Sequence, residues 1–353
     1  MKYPALIMDK SKVRHNTKVL SELASKHGIK VAGVTKVLCA WPEFAEAIIE
    51  GGAYALADSR IENLIKLKTF NVPKILLRIP MLSQAADVVE YTDISLNSEI
   101  EVIKALNEAA KAKGKVHQIV LMVDLGDLRE GVWFENAVSF AGEIIKLKNI
   151  KLMGIGTNLT CYGGVIPSAE NLGILVKITN EIEDKFGISL EIISGGNSSS
   201  IHLLQKNLMP KNVNQIRLGE AIVLGTETAY GEKIENTYSD VFTLAAEIIE
   251  LKEKPSAPIG ELGMDAFGGK PVFVDKGIIK RAIVAVGRQD VKHDGLTARD
   301  EGISILGASS DHMILDITDA KGVYKVGDIV EFGVNYGALL AAATSEYVNK
   351  TVK

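Results

Sequence analysis

The run Ala32-Gly33-Val34-Thr35-Lys36 sets an amine where an apolar stretch gives way to a loop. A lysine held there loses part of the hydration that favours its ammonium form, so its pKa falls and the neutral amine can form a Schiff base. The plainer alternative is a surface lysine just past a strand end. A second run, Ser194-Gly195-Gly196-Asn197-Ser198-Ser199-Ser200, precedes a helical pattern, and Arg217-Leu218-Gly219-Glu220-Ala221 closes a later apolar run. Glycines let backbone N–H groups approach an anion, hydroxyls add donors, and a helix start adds a favourable partial charge. A glycine turn with a serine cap is the alternative here.

These residues act together only if the fold gathers them. Short β-rich runs alternate with amphipathic segments of helical length, the pattern of parallel strands joined by helical crossovers. The expected strands are Lys30–Thr35, Ala53–Ala57, Lys74–Ile79, Thr92–Leu96, Gln118–Val123, Lys151–Thr157, Glu191–Ser194 and Val213–Arg217. Continuous apolar runs such as Ile119-Val120-Leu121-Met122-Val123 suit strands buried on both faces. Asp9 or Ser11 can cap a helix through Ser25, Asn97 or Ser98 one through Ala112, and Ser168 one towards Lys185. Eight such units imply a (β/α)8 TIM barrel, expected over residues 10–232. Apolar runs such as Val241-Phe242-Thr243-Leu244, Ile283-Val284-Ala285-Val286 and Met313-Ile314-Leu315-Asp316 then lack helical period, so residues 233–353 read as a mostly β C-terminal domain, to which residues 1–9 add a strand. Reacting groups in such barrels sit at the C-terminal ends of the strands, where Lys36 and the serine and glycine runs fall. An amine and an anion site in one barrel mouth point to pyridoxal 5′-phosphate, whose aldehyde takes the first and whose phosphate takes the second.

Composition narrows the partners. Forty Lys+Arg residues against 44 Asp+Glu give a net charge of −4, which makes no case for nucleic acid and favours a small molecule. Cys39 and Cys161 cannot build a disulfide framework, and no thiol and histidine cluster has zinc-ligand spacing, so the reducing cytoplasm suits the chain and no metal is expected. The apolar start of the chain is too short for a signal-peptide core, and no later stretch is long enough for a membrane span.

With these residues in place, the sequence resembles the fold-type III pyridoxal-phosphate enzymes of the alanine racemase class over nearly its whole length, most closely the alanine/ornithine racemase branch. Pro4-Ala5-Leu6-Ile7-Met8-Asp9 with Val13-Arg14-His15-Asn16 resembles that class's opening segment, and Val34-Thr35-Lys36 its cofactor-lysine strand. Asp124-Leu125-Gly126-Asp127-Leu128-Arg129-Glu130-Gly131 is similar to D-T-G-M-G-R-L-G, and Gly156-Thr157-Asn158-Leu159-Thr160 to Y-T-H-F-A. Asn197-Ser198 is similar to A-N-S, and Arg217-Leu218-Gly219-Glu220-Ala221 to R-P-G-I-A. The resemblance implies that Lys36 holds the cofactor and moves a proton at the substrate Cα. By the same match Arg217 faces the pyridine nitrogen and keeps it unprotonated, which favours racemisation over side reactions. Arg129 lies near the phenolic oxygen, and Ser198 with the Gly219–Glu220 backbone takes the phosphate.

The departures are equally specific. Asn158 stands where the class has a histidine over the ring, Ala40 where it has a phosphate-contacting tyrosine, and Met122 where it has a carbamylated lysine. The G-Y-x-D-G motif that carries the opposite-face tyrosine base reads Gly287-Arg288-Gln289-Asp290-Val291. Arg288, Asp290, His293 and Cys161 are the candidates for the second acid/base group, and a one-base mechanism is the alternative. Gly307-Ala308-Ser309-Ser310-Asp311-His312-Met313 resembles a loop that reaches the neighbouring subunit's active site, which implies a homodimer with shared sites and puts Ser310 and Asp311 near substrate. Glu346 occupies a pocket tyrosine's position, so a carboxylate there, with Asp311, would pair with a cationic side chain. The expected activity is a pyridoxal-phosphate amino-acid racemase acting on ornithine or a related basic amino acid. The rivals are a pyridoxal-phosphate decarboxylase, a non-catalytic cofactor-homeostasis protein, and a Schiff-base aldolase that uses Lys36 without cofactor.

Overall fold

A computed structural model of the chain describes residues 1–265, 267–270 and 272–353. They form two compact units, one of Lys10–Ser239 and one of Met1–Asp9 with Asp240–Lys353. β1 (Ala5–Met8) belongs to the second unit. The first alternates α1 (Lys10–Ser25), β2 (Lys30–Val34), α2 (Pro42–Glu50), β3 (Ala55–Asp58), α3 (Ile61–Lys66), β4 (Lys74–Leu76), α4 (Ala85–Tyr91), β5 (Ile94–Asn97), α5 (Ile100–Ala112), β6 (His117–Asp124), β7 (Val132–Trp133), α6 (Ala137–Ile144), β8 (Ile150–Gly156), α7 (Ala169–Phe186), β9 (Ile192–Ser194), α8 (Ile201–Gln205), β10 (Gln215–Leu218) and α9 (Glu220–Leu224).

Parallel pairing runs through β2, β3, β4, β5, β6, β8, β9 and β10 and returns from β10 to β2, closing the ring, while the short β7 lies beside β6. Every expected strand is present and differs only at its ends. Ala32, Val34, Ala55, Ala57, Ile75, Ile94, Leu96, Val120 and Met122 pack together inside, so Met122 fills the core of the barrel. Side chains of alternating strands filling the interior make it a packed core and leave the loops to carry chemistry.

The helix ends show what the local chemistry decides. Ser168 and Asn171 form a reciprocal capping box at the start of α7, and Gly187, at φ 62°, ends it in the left-handed conformation. For α5 the cap is Glu99, whose side chain accepts from Glu101 N, in place of the expected Asn97 or Ser98. Asn97 is still within β5 and turns its amide back onto Ser95 O and Oγ, at 3.0 and 2.9 Å. The first unit also runs past Glu232 to Ser239. The buried Asn16 of α1 holds that stretch, donating to Tyr238 O and accepting from Tyr238 N, both at 2.8 Å.

In the second unit β11 (Phe242–Pro255), β12 (Ile278–Val284), β13 (Leu296–Ala298), β14 (Ser304–Ala308), β15 (Met313–Asp316) and β16 (Ile329–Val334) form an antiparallel sheet ordered β13-β16-β11-β12-β15-β14. A helix, α10 (Tyr336–Thr344), follows, and β17 (Asn349–Val352) pairs parallel to β1, which pairs antiparallel to β11. The α10 sequence is small and apolar throughout, so it shows no polar face, and Asn335 caps it by accepting from Ala338 N at 2.9 Å. No helix among the described residues is long and apolar enough to cross a membrane.

His117 opens β6 at 3% exposure, with its Nε2 2.8 Å from Ser95 Oγ. Burial lowers its pKa to about 4, against a smaller upward pull from Asp93. The folded ring therefore stays neutral down to about pH 4 while the unfolded one protonates at its ordinary value. Its contribution is whole above pH 6.5 and is lost as pH falls towards 4, to the extent of about 3 kcal/mol. Urea titrations of the unmutated protein and of His117→Gln should show that loss between those pH values in the first and a smaller one in the second.

Candidate active site

Strand β2 ends one residue before Thr35, whose Oγ1 donates to Asp58 Oδ2 at the end of β3 over 2.7 Å. Asp58 Oδ1 accepts from Arg60 N and Asn63 Nδ2, each at 3.0 Å. Burial pushes the Asp58 carboxyl pKa up, and these hydrogen bonds, Thr35's foremost, oppose it. Lys36 then starts a turn that ends on Cys39 and Ala40, both in the left-handed region at φ 52° and 58°. Two such non-glycine residues in succession mark a backbone held in place by its surroundings. Lys36 itself is exposed in the single chain. Its charge opposes the upward shift that burial imposes on the carboxyl of Glu220, beyond β10.

Arg217, on β10, is the buried cation of the mouth, 3% exposed. Its Nη1 donates to Ser194 Oγ at the end of β9, and its Nη2 donates to Thr157 O and Asn158 Oδ1 beyond β8, both at 2.8 Å. Burial lowers its pKa to about 10, and among the charges the nearby Glu130 carboxylate does most to hold it up. Asn158 Nδ2 donates to Glu130 Oε1, and Arg129 grips the same carboxylate with Nε at 2.6 Å from Oε2 and Nη2 at 2.9 Å from Oε1. Arg129, Glu130, Asn158, Arg217 and Ser194 thus form one continuous network across β6, β8, β9 and β10.

Asp127, from the same loop as Arg129, is 1% exposed. Its Oδ1 accepts from Thr160 N and Val165 N, at 3.0 and 3.1 Å, and its Oδ2 from Cys161 N and Tyr162 N, at 3.1 and 2.9 Å. This pins the loop after β8. Exposed Cys161 is held at the mouth, where its Sγ lies 3.3 Å from Asn197 Nδ2.

The serine run is a single tight turn, Ser198–Ser200, with α8 beginning only at Ile201. Asn197 Oδ1 caps it, accepting from Ser199 N at 2.9 Å. Ser198 Oγ accepts from Ala221 N at 3.2 Å, joining the loop after β9 to the loop after β10 and leaving the hydroxyl proton to donate. At Gly219 a β-carbon would lie 3.1 Å from Val34 Cβ, so the loop passes closer to the lysine strand than a larger residue would comfortably allow.

Arg288, Asp290, Ser310, Asp311 and Glu346 belong to the second unit, where three segments meet. Arg288 N donates to Ser309 O at 2.9 Å, Gln289 N to Ser310 O at 3.0 Å, and Ser345 Oγ to the buried Asp290 Oδ1 at 2.8 Å. A β-carbon on Gly287 would fall 2.3 Å from Ser310 O, so only glycine permits that approach. The Arg288 guanidinium lies over the Phe267 ring, 4.2 Å from its centre. Asp311 is exposed and bound to His312 Nδ1 at 2.7 Å, a contact that holds its carboxyl below the usual range, so its charge has a local partner. Glu346 is exposed as well in the single chain. His293 opens a short turn, His293–Gly295.

Residues 8–227 match the model of the alanine racemase N-terminal domain. The chain is 51% identical over 349 residues to an ornithine racemase from Acetoanaerobium sticklandii, covering 99% of each protein. This chain belongs to the alanine racemase family. It is also 43% identical to a lysine racemase from Thermotoga maritima, over 99% of this chain and 98% of that protein. An alanine racemase from Bartonella henselae, solved with covalently bound pyridoxal phosphate, shares the fold with a TM-score of 0.75 at 16% identity, over 99% of both chains.

The mouth of this family member suits such a group on its own chemistry. It offers an exposed amine at Lys36, a hydroxyl with a spare proton at Ser198, and the close-packed glycine at 219. Thr157 Oγ1, next to Asn158, is buried with no hydrogen-bond partner among the described residues. Glu130, Thr157, Asp58 and Asp127 all serve this mouth, yet none was given a role of its own from the sequence. Glu130 beside Arg129 reads there as an ordinary solvated pair. Asp127→Asn puts an amide donor against backbone donors. It should lower stability by about 1–3 kcal/mol, with amide exchange accelerating first at 160–165, as hydrogen-exchange mass spectrometry would show.

Proposed function

We propose that this chain is a pyridoxal-phosphate-dependent racemase that interconverts the enantiomers of ornithine or a related basic amino acid. The observation that carries it is the full-length 51% identity to an ornithine racemase, joined to a lysine at the end of β2 in a mouth lined by Arg217, Arg129 and Ser198. When bound, the cofactor supplies the electron sink that makes the substrate Cα–H acidic. Lys36 would hold it covalently and would move a proton at the substrate Cα on one face. Arg217, already committed to Ser194, Thr157 and Asn158, presents a fixed positive charge that would disfavour protonation of a ring nitrogen set against it. Ser198 and the Gly219–Glu220 backbone would hold the phosphate.

The opposite-face proton needs a second group, and Arg288, Asp290, His293 and Cys161 are the candidates. Cys161 is the one in the barrel unit, held by the Asp127 loop. Arg288 and Asp290 lie in the second unit with Ser310, Asp311 and Glu346. There the substrate's cationic side chain would meet Glu346, in a homodimer whose 307–313 loop reaches the partner's mouth.

Borohydride treatment of the yellow protein should trap the cofactor on residue 36, and Lys36→Ala should abolish both the adduct and turnover. Chiral chromatography should show D- and L-ornithine interconverting faster than D- and L-alanine. Release of carbon dioxide instead would make the protein a decarboxylase, and colourless, inactive protein after soaking in the cofactor would end this reading. Glu346→Gln should lower the kcat/KM preference for ornithine over alanine about tenfold, near 1.4 kcal/mol. An unchanged preference would remove Glu346 from the specificity site.

A further inference from the structure

Arg217 is buried, yet its three acceptors, Ser194 Oγ, Thr157 O and Asn158 Oδ1, are all neutral. A buried cation without a carboxylate in contact is costly unless its surroundings are polarised towards it. Glu130 does this from one amide away. We propose that Glu130 is a positioning residue of this active site, orienting Arg217 through Asn158 and Arg129 by direct ion pairing. The geometry stands on the chain alone, whereas its importance for turnover rests on the racemase reading above.

The orientation of Asn158 follows from what each neighbour can offer. Arg217 only donates, so the amide oxygen must face it, and the amide nitrogen then needs an acceptor. Glu130 is acceptor-only when ionised, and its Oε1 is the acceptor present. A flipped amide would set donor against guanidinium on one side and oxygen against carboxylate on the other. Arg129 engages the same carboxylate through two nitrogens, the forked geometry that fixes a guanidinium plane. The Glu130 side chain is 17% exposed, against 41% for Arg129, so the pair is screened on the carboxylate side.

The backbone carrying Glu130 is fixed on both sides. Asp127 is buried among the amides of 160–165. Gly131, at φ 139°, lets the chain fold back so tightly that a β-carbon would lie 2.4 Å from Asp124 N. Two cations therefore share one immobilised carboxylate. Removing its charge leaves Arg129 and Arg217 as like charges and deprives the Asn158 amide nitrogen of its ionised acceptor. Cys161 and Tyr54 are the other titratable groups whose charge acts on Arg217.

Full-length Glu130→Gln, Glu130→Asp, Asn158→Ala and the Glu130→Gln/Asn158→Ala double variant test this. In cofactor-free protein, side-chain nitrogen–proton NMR should show the Arg217 guanidinium exchanging at least about tenfold faster in Glu130→Gln. With pyridoxal 5′-phosphate bound, removing a nearby negative charge should lower the apparent pKa of the visible absorbance by about 1. Glu130→Asp should restore that titration but only part of kcat. The double variant should lose no more than the worse single variant, because both act through one chain of contacts.

Folded Glu130→Gln with unchanged Arg217 exchange and unchanged titration would overturn the proposal, as would strictly additive effects in the double variant. If Glu130→Gln fails to fold, Asn158→Ala and Glu130→Asp decide by the same two readouts. If the unmutated protein takes up no cofactor, the racemase reading fails while guanidinium exchange still decides this one.

Discussion

A guanidinium at 3% exposure must find its acceptors inside the protein, and for Arg217 they come from the ends of two neighbouring strands and the loop beyond one of them. That requirement ties the mouth of the barrel to its closure. β10 pairs with β2 on one side and β9 on the other, and β9 pairs with β8, so the neighbouring ends of β8 and β9 bring Ser194, Thr157 and Asn158 to Arg217. The same closure sets Gly219 against Val34 of the lysine strand. The return of β10 to β2 thus sets the strand of the central cation beside the strand that leads to the amine.

The loops are held by a second kind of interaction, carboxylates turned onto backbone amides. Asp127 collects amides of the 160–165 loop, Glu227, 1% exposed, collects Ala229, Tyr230 and Glu232 N, and Asp58 adds the Thr35 hydroxyl and the Asn63 side chain to the Arg60 amide. Each exchanges solvation of a charge for several charge-assisted hydrogen bonds, which suits loops that have no apolar core of their own. Rigid loops in turn keep Arg129, Cys161 and Lys36 at defined positions without burying them.

The barrel was readable because its strands are continuous apolar runs such as Ile119–Val123, separated by helical periods, and burial on both faces leaves few other ways to satisfy that pattern. The lysine and glycine positions were readable because strand ends dictate where chemistry sits. What the sequence hid are features made by long-range pairing. Glu130 gains its role only when Asn158, remote in sequence, turns its amide towards it. Glu99 becomes a cap only because Asn97 stays in the strand. The Asp311 carboxylate, expected near substrate, is met by its own neighbour His312, a contact that spacing in sequence does not distinguish from a simple turn. α10 escaped notice because Tyr336–Thr344 lacks the polar face that marks a helix against solvent.

Charge balance in the mouth constrains the proposed substrate. Lys36, Arg129 and Arg217 face the carboxylates of Glu130 and Glu220, and burial favours the neutral form of Glu220. Because Asp58 and Asp127 are already committed to hydrogen bonds within the chain, the mouth presents its amine and two guanidinium groups, which would suit a phosphate, a phenolic oxygen and an α-carboxylate. It does not suit a second ammonium. A basic amino acid must send its side chain elsewhere, towards carboxylates that are not neutralised by these arginines. Of the two carboxylates proposed for that role, Asp311 is already engaged by His312. Both are exposed in the single chain, and an exposed ion pair is worth little. The proposed pairing of Glu346 with a cationic side chain would therefore gain strength only where that carboxylate is covered.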